Sequence, residues 1–251
     1  MELQFSMTHK VQACDVDCFG RCKSAVLLYL AQEAATGHCD LLMLDWDTMA
    51  EKGLFWAVIR SHVQVERLPV LGEQIQVKTW PMPTTRTAFP RAVEILDAQG
   101  DTLVRIVSLW VLMDHTTRAM VLPGKSGVDV PGLLCGNELA GPGSILPAKL
   151  EGNSNRTVVF SELDRNGHMN NTRYLDWVND LLPAAFHKEH PVEEFTICYL
   201  AEALEKQTLN LEFGMDENGI FQVDGYREQT DDHGKKTRVF SVKTRFKNGV
   251  L

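Results

Sequence analysis

The sequence predicts an α+β chain made of two consecutive repeats, each an antiparallel sheet wrapped around one long helix. Three observations predict it. Each half carries an Asp-x-x-Gly turn, at Asp17–Gly20 and at Asp164–Gly167. Each turn precedes one helix-forming stretch. Each helix is followed by four runs of strand composition, with the turns Asp97-Ala98-Gln99-Gly100 and Asp216-Glu217-Asn218-Gly219 expected to be equivalent hairpins.

In the first half, Lys10 to Asp17 alternates loosely and reads as a short strand. Asp17-Cys18-Phe19-Gly20 is turn chemistry. Ser24 then caps a helix running to about Leu44. That stretch is rich in Ala, Leu and Met around most of its circumference, so the helix is expected to be buried on more than one side. Strand runs follow at Phe55–Leu68, Gln74–Trp80, Arg91–Leu96 and Thr102–Met113, punctuated by Pro69, Gly72, Pro81, Pro83 and Gly100.

The segment from Leu122 to Glu151 is rich in Gly and Pro and has little periodicity, which makes it a linker over the surface. The expected domains are residues 1–130, a linker at 131–152, and residues 153–251. In the second half, Arg156–Leu163 reads as a strand and Asp164-Arg165-Asn166-Gly167 as a turn. Asn170 or Asn171 caps a helix through about Leu182, stopped by Pro183. Strand runs follow at Glu194–Leu200, Gln207–Gly214, Ile220–Gln229 and Thr237–Phe246. A strand, one buried helix and several antiparallel strands make the hot-dog plan, here in tandem.

The chain has 251 residues, 44% hydrophobic and 23% charged, as an ordinary globular protein does. No apolar run reaches the roughly 18–20 residues that span a bilayer. The opening Met1-Glu2-Leu3-Gln4-Phe5-Ser6 lacks the pattern of a signal or transit peptide, so the cytoplasm is the expected compartment. No membrane partner is expected, and a net charge of −8 argues against a nucleic-acid partner. Six cysteines without a secretion signal are expected to be free thiols. Cys14, Cys18 and Cys22, with His9 and Cys39 nearby, have a spacing that zinc tolerates, but no second pair follows. No metal and no cofactor are expected.

Chemistry concentrates in Asp164-x-Asn166-x-His168. Residues two apart project to one side of an extended segment, so a carboxylate, an amide and an imidazole converge. The helix just beyond offers N–H groups and a positive dipole end to an oxyanion. A general base, a carbonyl polariser and such a helix end are the parts of acyl hydrolysis. Asp, Asn and Gly are also what a tight turn and a cap favour, and the residues alone leave both readings open.

The longer segment Asp164-x-Asn166-x-His168-Met169-Asn170-Asn171-x-x-Tyr174-x-x-Trp177 resembles the signature of the acyl–acyl carrier protein thioesterases of plant plastids and bacteria. So do Trp56-Ala57-Val58-Ile59-Arg60 and Ser108-Leu109-Trp110-Val111-Leu112-Met113-Asp114 in the first half. The resemblance implies a double hot-dog fold and thioester hydrolysis of a fatty acyl group carried by acyl carrier protein. Two repeats that satisfy each other predict a monomer, with a homodimer as the alternative. The resemblance puts the functional Asp, Asn and His on Asp164, Asn166 and His168, and an acid on Glu202. The family's next residue is a Cys; here it is Ala203, with Cys198 five residues too early, so a cysteine nucleophile cannot act there. Water activated by a carboxylate, or attack by Asp164 itself, remains.

Where the second repeat has Asn166 and His168, the first has Phe19 and Arg21, so the first repeat is expected to lack the chemistry; the resemblance implies that its helix and sheet house the acyl chain. Leu28, Ala31, Ala35, Met43 and Trp56 are the expected wall, each buried methylene contributing ~0.8 kcal/mol. Arg21, Lys23, Arg86 and Arg91 are the candidate basic patch for the acidic carrier. Two further enzymes fit the residues, an acyl-CoA thioesterase and a hot-dog dehydratase. A module that binds the thioester without cleaving it is the non-enzymatic alternative.

Overall fold

A computed structural model describes residues 3–136, 138–230 and 236–247. The chain divides into two compact units, Met1–Pro142 and Gly143–Leu251. The first holds β1 (Phe5–Lys10), α1 (Ser24–Leu41), α2 (Trp46–Glu51), β2 (Leu54–Val65), β3 (Gln74–Pro81), β4 (Phe89–Leu96), β5 (Thr102–Asp114), β6 (Met120–Val121) and α3 (Pro123–Ser126). The strands run antiparallel in the order β1-β3-β4-β5-β2, with β6 pairing the end of β5 beyond β4. α1 lies on β1 and β3. It buries Leu27, Leu28, Leu30, Ala31, Ala34 and Ala35, as a helix apolar on most sides must. Each leucine so buried is worth about 1.5–3 kcal/mol. Lys23, not Ser24, occupies the cap position, and no side chain bonds there.

The second unit holds β7 (Gly152–Thr157), α4 (Arg173–Asn179), α5 (Ala184–Glu189), β8 (Val192–Tyr199), β9 (Thr208–Met215), β10 (Ile220–Thr230) and β11 (Lys236–Phe246). Its order, β7-β9-β10-β11-β8, repeats the first unit strand for strand. Tyr174 of α4 packs on Phe240 of β11 and Tyr199 of β8, with ring centroids 4.7 and 5.6 Å away.

Three local expectations are corrected. The opening strand of each repeat lies earlier than expected, at Phe5–Lys10 and Gly152–Thr157; Ala13–Asp15 and Phe160–Glu162 are instead 3-10 turns. Both are edge strands that alternate half-buried and exposed residues, which gives weak hydrophobic periodicity. The second-repeat helix is seven residues rather than twelve. The chain turns at Asp180–Leu182 and resumes as α5 with Pro183 in its cap position, as the ring's fixed φ permits. Finally, the Asp97 and Asp216 turns are not equivalent. Asp97–Asp101 joins β4 to β5, whereas Asp216–Ile220 joins β9 to β10, the counterparts of β3 and β4.

The irregular segment before β7 is pinned along its length. Val128 and Val130 join the first unit's core beside Leu44, Met49, Phe89 and Leu112. Leu133 N–H donates to Pro81 O (2.8 Å), and His62 Nδ1 lies 2.9 Å from Ala140 O. In the second unit Cys198 Sγ, Arg238 and Gln222 donate to the carbonyls of Gly143, Ile145 and Leu146 at 3.5, 2.9 and 3.0 Å. Arg238 and Gln222 are themselves ordered by the buried Asp224, 3.3 and 3.0 Å away, which also accepts from Ser241. Among the described residues no helix is long and apolar enough to cross a membrane.

Candidate active site

The Asp164 turn is built from its own backbone. Asp164 N–H donates to His168 O (2.8 Å) and Gly167 N–H to Asp164 O (3.0 Å). Gly167 takes φ +76°, which L side chains rarely adopt. Asp164 Oδ1 accepts the N–H groups of Asn166 (2.8 Å) and His168 (3.2 Å). This closes the turn and fixes where the next side chains point.

Glu202 arrives from the loop between β8 and β9. Met169 N–H donates to Ala203 O (2.8 Å), and His168 bridges to Leu204, so this loop lies alongside the turn. His168 Nε2 thereby stands 3.3 Å from Glu202 Oε2. The imidazole side chain is 16% exposed and the carboxylate 41%, so one group is sheltered and the other meets solvent. Asp164, Asn166, His168 and Glu202 are thus assembled in one place within the second unit. Ala203 is fully buried and Cys198 Sγ is spent on Gly143 O, so neither offers a nucleophile.

Neighbouring side chains are tied together by hydrogen bonds. Trp177 Nε1 donates to Glu162 Oε1 (2.6 Å), Glu162 Oε2 accepts Val159 N–H (3.0 Å), and Tyr199 OH donates to Asn171 O (2.7 Å). Tyr174 is buried; burial, then the Asp164 carboxylate, push its hydroxyl well above the ordinary tyrosine range. Trp177 and Tyr174 are packing residues, as their helical spacing suggests. Two N–H groups at the helix start are already engaged. Asn170 Oδ1 accepts Thr172 N–H (2.9 Å) and Asn170 O accepts Arg173 N–H (3.0 Å).

The first repeat reproduces this backbone and supplies a control. Asp17 N–H donates to Arg21 O, Gly20 N–H to Asp17 O, and Cys22 N–H to Pro69 O, as Asp164, Gly167 and Met169 do. Asp17 Oδ1 accepts the N–H groups of Phe19 (2.8 Å) and Arg21 (3.0 Å). The same turn carries Phe19 for Asn166 and Arg21 for His168. The bridge of Arg21 to Val70 matches that of His168 to Leu204, which puts Leu68 opposite Glu202 in the alignment. Arg21 closes back on Asp17 at 3.2 Å.

Leu28, Ala31 and Ala35 are buried on α1, and Trp56 is half-buried, its Nε1 on Leu44 O (3.0 Å) and its ring edge-on to Phe89. Met43 is different. It sits at φ +57° in the turn after α1, 74% exposed, and lines no interior wall. The basic patch also needs correction. Arg91 is buried on β4, 3.1 Å from His38 Nδ1 and 3.2 Å from Thr79 Oγ1, and desolvation pushes its pKa down. Arg21 is committed to Asp17, and Lys23 to Cys14 O (3.1 Å). Only Arg86 of the four is exposed with no contact described for it.

Among the described residues no group of three or more His, Cys, Asp or Glu could hold a metal ion. None of the six cysteines is in a disulfide. Cys22 is buried, which pushes its thiol up to about 12. One further residue enters that sequence reasoning missed: Arg227 on β10, whose guanidinium donates to Glu202 O at 2.6 Å. No local motif announces it.

Comparison with known proteins bears on both halves. The family model described as "Acyl-ACP thioesterase N-terminal domain" matches residues 2–122, and its C-terminal companion matches 148–247. A chloroplastic palmitoyl-acyl carrier protein thioesterase of Gossypium hirsutum is 26% identical over 80% of this chain and 52% of its own length. A chloroplastic dodecanoyl-[acyl-carrier-protein] hydrolase of Cinnamomum camphora is 29% identical over 71% and 50%. The chain spans about half the length of these curated relatives. Among solved structures, an acyl-ACP thioesterase of Bacteroides thetaiotaomicron aligns with TM-score 0.86 at 23% identity, covering 97% of this chain and 98% of that one. The 12:0-ACP thioesterase of Umbellularia californica gives 0.81 at 22%, covering 98% of each. These likenesses establish the double hot-dog fold.

Proposed function

The chain belongs to the acyl-ACP thioesterase family, and from that membership we propose that it hydrolyses the thioester of a fatty acyl group carried by acyl carrier protein, releasing the free fatty acid. The observation that carries the reading is the His168–Glu202 pair at 3.3 Å, with Asn166 on the same turn as His168, where the matched positions of the first repeat hold Arg21, Leu68 and Phe19. Glu202 removes a proton from water, whose oxygen attacks the carbonyl carbon. The Asn166 carboxamide, which is not among the groups that hold the turn, polarises the carbonyl oxygen. The tetrahedral intermediate collapses, the C–S bond breaks, and the sulfur leaves as the thiol with a proton relayed through His168. Asp164 holds the turn, because Asp17 makes the same two bonds where no chemistry is expected. A cytoplasmic setting belongs to this reading, and six thiols outside any disulfide suit a reducing compartment.

The test is thiol release from a panel of acyl carrier protein thioesters and the matching CoA thioesters, by the wild type and Glu202→Gln side by side. Rapid release from the carrier-protein substrates, lost in the variant, is expected. Release from CoA substrates alone, formation of an enoyl product, or binding without release each overturns the reading in favour of a different hot-dog activity.

A further inference from the structure

Because the two repeats share a backbone, side chains that differ at matched positions mark what the second repeat has added. Three differences are already in the site: Asn166 for Phe19, His168 for Arg21 and Glu202 for Leu68. Following the register gives a fourth. β9 pairs with β10 as β3 pairs with β4, with Asn210↔Tyr226 matching Gln76↔Leu96. One step further, Arg227 stands opposite Leu209 and corresponds to Asp97. Asp97 uses its carboxylate on its own turn, accepting the N–H groups of Gln99 and Asp101, both at 2.9 Å. Arg227 reaches instead into the loop between β8 and β9 and donates to the carbonyl of Glu202 itself at 2.6 Å. In the first repeat the matching carbonyl, Leu68 O, meets a 3.4 Å contact from neighbouring Arg67, whose guanidinium is engaged by Glu73 at 2.7 and 2.9 Å.

Arg227 is also placed at a cost. Its Nε is buried with no hydrogen-bond partner among the described residues. Leaving a buried donor unsatisfied is tolerated where position matters more than stability. The rest of the loop is anchored on either side of Glu202, where Ala203 O accepts Met169 N–H (2.8 Å). Leu200 and Ala201 N–H donate to Val239 O, and Leu204 is tied to Gln207.

We propose that Arg227 is a positioning residue of the thioesterase reaction: its grip on the Glu202 carbonyl fixes the loop so that the Glu202 carboxylate faces His168. The role assigned to Glu202 and His168 above is its premise. Arg227→Gln is expected to lower kcat at least roughly tenfold with KM within about threefold, since the contact sets geometry and not ground-state binding. Arg227→Lys, with a donor on a shorter reach, falls between. In a Glu202→Gln background, Arg227→Gln adds less than about twofold, because both act through one carboxylate. Hydrogen exchange at residues 200–207 and at the Met169 amide, which donates to Ala203 O, quickens in Arg227→Gln while β9 and β11 keep wild-type protection.

Wild-type kcat in folded Arg227→Gln, or a full additive loss in the Glu202→Gln background, overturns the proposal. If Arg227→Gln does not fold, Arg227→Lys decides: reduced kcat at an unchanged melting temperature upholds it, and wild-type kcat overturns it. Should the wild type itself release no thiol, the thioesterase reading fails, and the exchange experiment still decides the placement. Faster exchange confined to the loop and Met169 upholds the positioning, and unchanged exchange sinks it.

Discussion

Replacing Asp164 separates a turn-holding carboxylate from a reacting one. Asp164→Ala removes the acceptor for two N–H groups, those of Asn166 at 2.8 Å and His168 at 3.2 Å. At about 0.5–1.5 kcal/mol net per bond the loss is about 1–3 kcal/mol. For a chain of this size that lowers the melting temperature by roughly 2–12 °C, at about 2–4 °C per kcal/mol. The turn then relaxes, His168 and Asn166 move, and kcat falls by about a hundredfold or more, since a displacement near 1 Å costs that much. Asp164→Asn keeps the Oδ1 acceptor. It is expected to melt near the wild type and to retain kcat within about tenfold, as its placement rather than its charge is what the turn uses. Asp17→Ala loses the matching bonds, at 2.8 and 3.0 Å, so it melts lower by a similar amount with kcat little changed. The assays are a thermal melt and thiol release from an acyl carrier protein thioester. A folded Asp164→Asn as inactive as Asp164→Ala refutes the reasoning and makes the Asp164 carboxylate a base or a nucleophile.

Other perturbations probe the scaffold. Trp177→Phe deletes the 2.6 Å bond to Glu162, so urea unfolding should show a loss of about 1.5–3 kcal/mol, as for a bond to a charged group; an unchanged midpoint contradicts that role. Gly225→Ala would put a Cβ 2.1 Å from Cε1 of the fully buried Phe240. Overpacking of this kind costs about 1–3 kcal/mol, and a wild-type melting temperature would show that the ring yields freely. Burial acts to raise the pKa of Asp15, but the Gln12 N–H and the His9 ring, each 2.8 Å away, outweigh it and hold the carboxyl below its usual value. Its stabilisation is therefore present above the unfolded-state pKa and is lost as pH falls through the folded one. Melting temperatures taken from neutral pH into acid should fall less steeply for Asp15→Asn than for the wild type, and parallel curves would contradict the assignment.

The site was legible where it is local. Asp164, Asn166 and His168 announce themselves by alternation and a following glycine. Glu202 lies 34 residues beyond His168 by their numbering, in a loop beside Glu205 and Lys206, and nothing short of family resemblance separates it from solvated charge. Arg91 was misjudged because an arginine is exposed by default. The signal was its setting, Phe89-Pro90-Arg91-Ala92-Val93, a run buried on both faces of its strand. Met43 was misjudged in the opposite direction, a long apolar side chain left outside by a left-handed turn. The strands with strong two-residue patterns were placed within a few residues. The two opening strands were missed together, because an edge strand with no fully buried face leaves little hydrophobic contrast to read.

The pinned connection before β7 has a consequence for how the chain can vary. Ala140, Gly143, Ile145 and Leu146 are held through their carbonyl oxygens by side chains on the sheets. Every residue type supplies that oxygen, so substitutions at Ala140, Gly143 and the exposed Leu146 leave these grips intact. An inserted residue between Gly143 and Leu146 would shift the later carbonyls past Arg238 and Gln222. The connection is thus permissive in spelling and strict in length, the reverse of an ordinary surface loop.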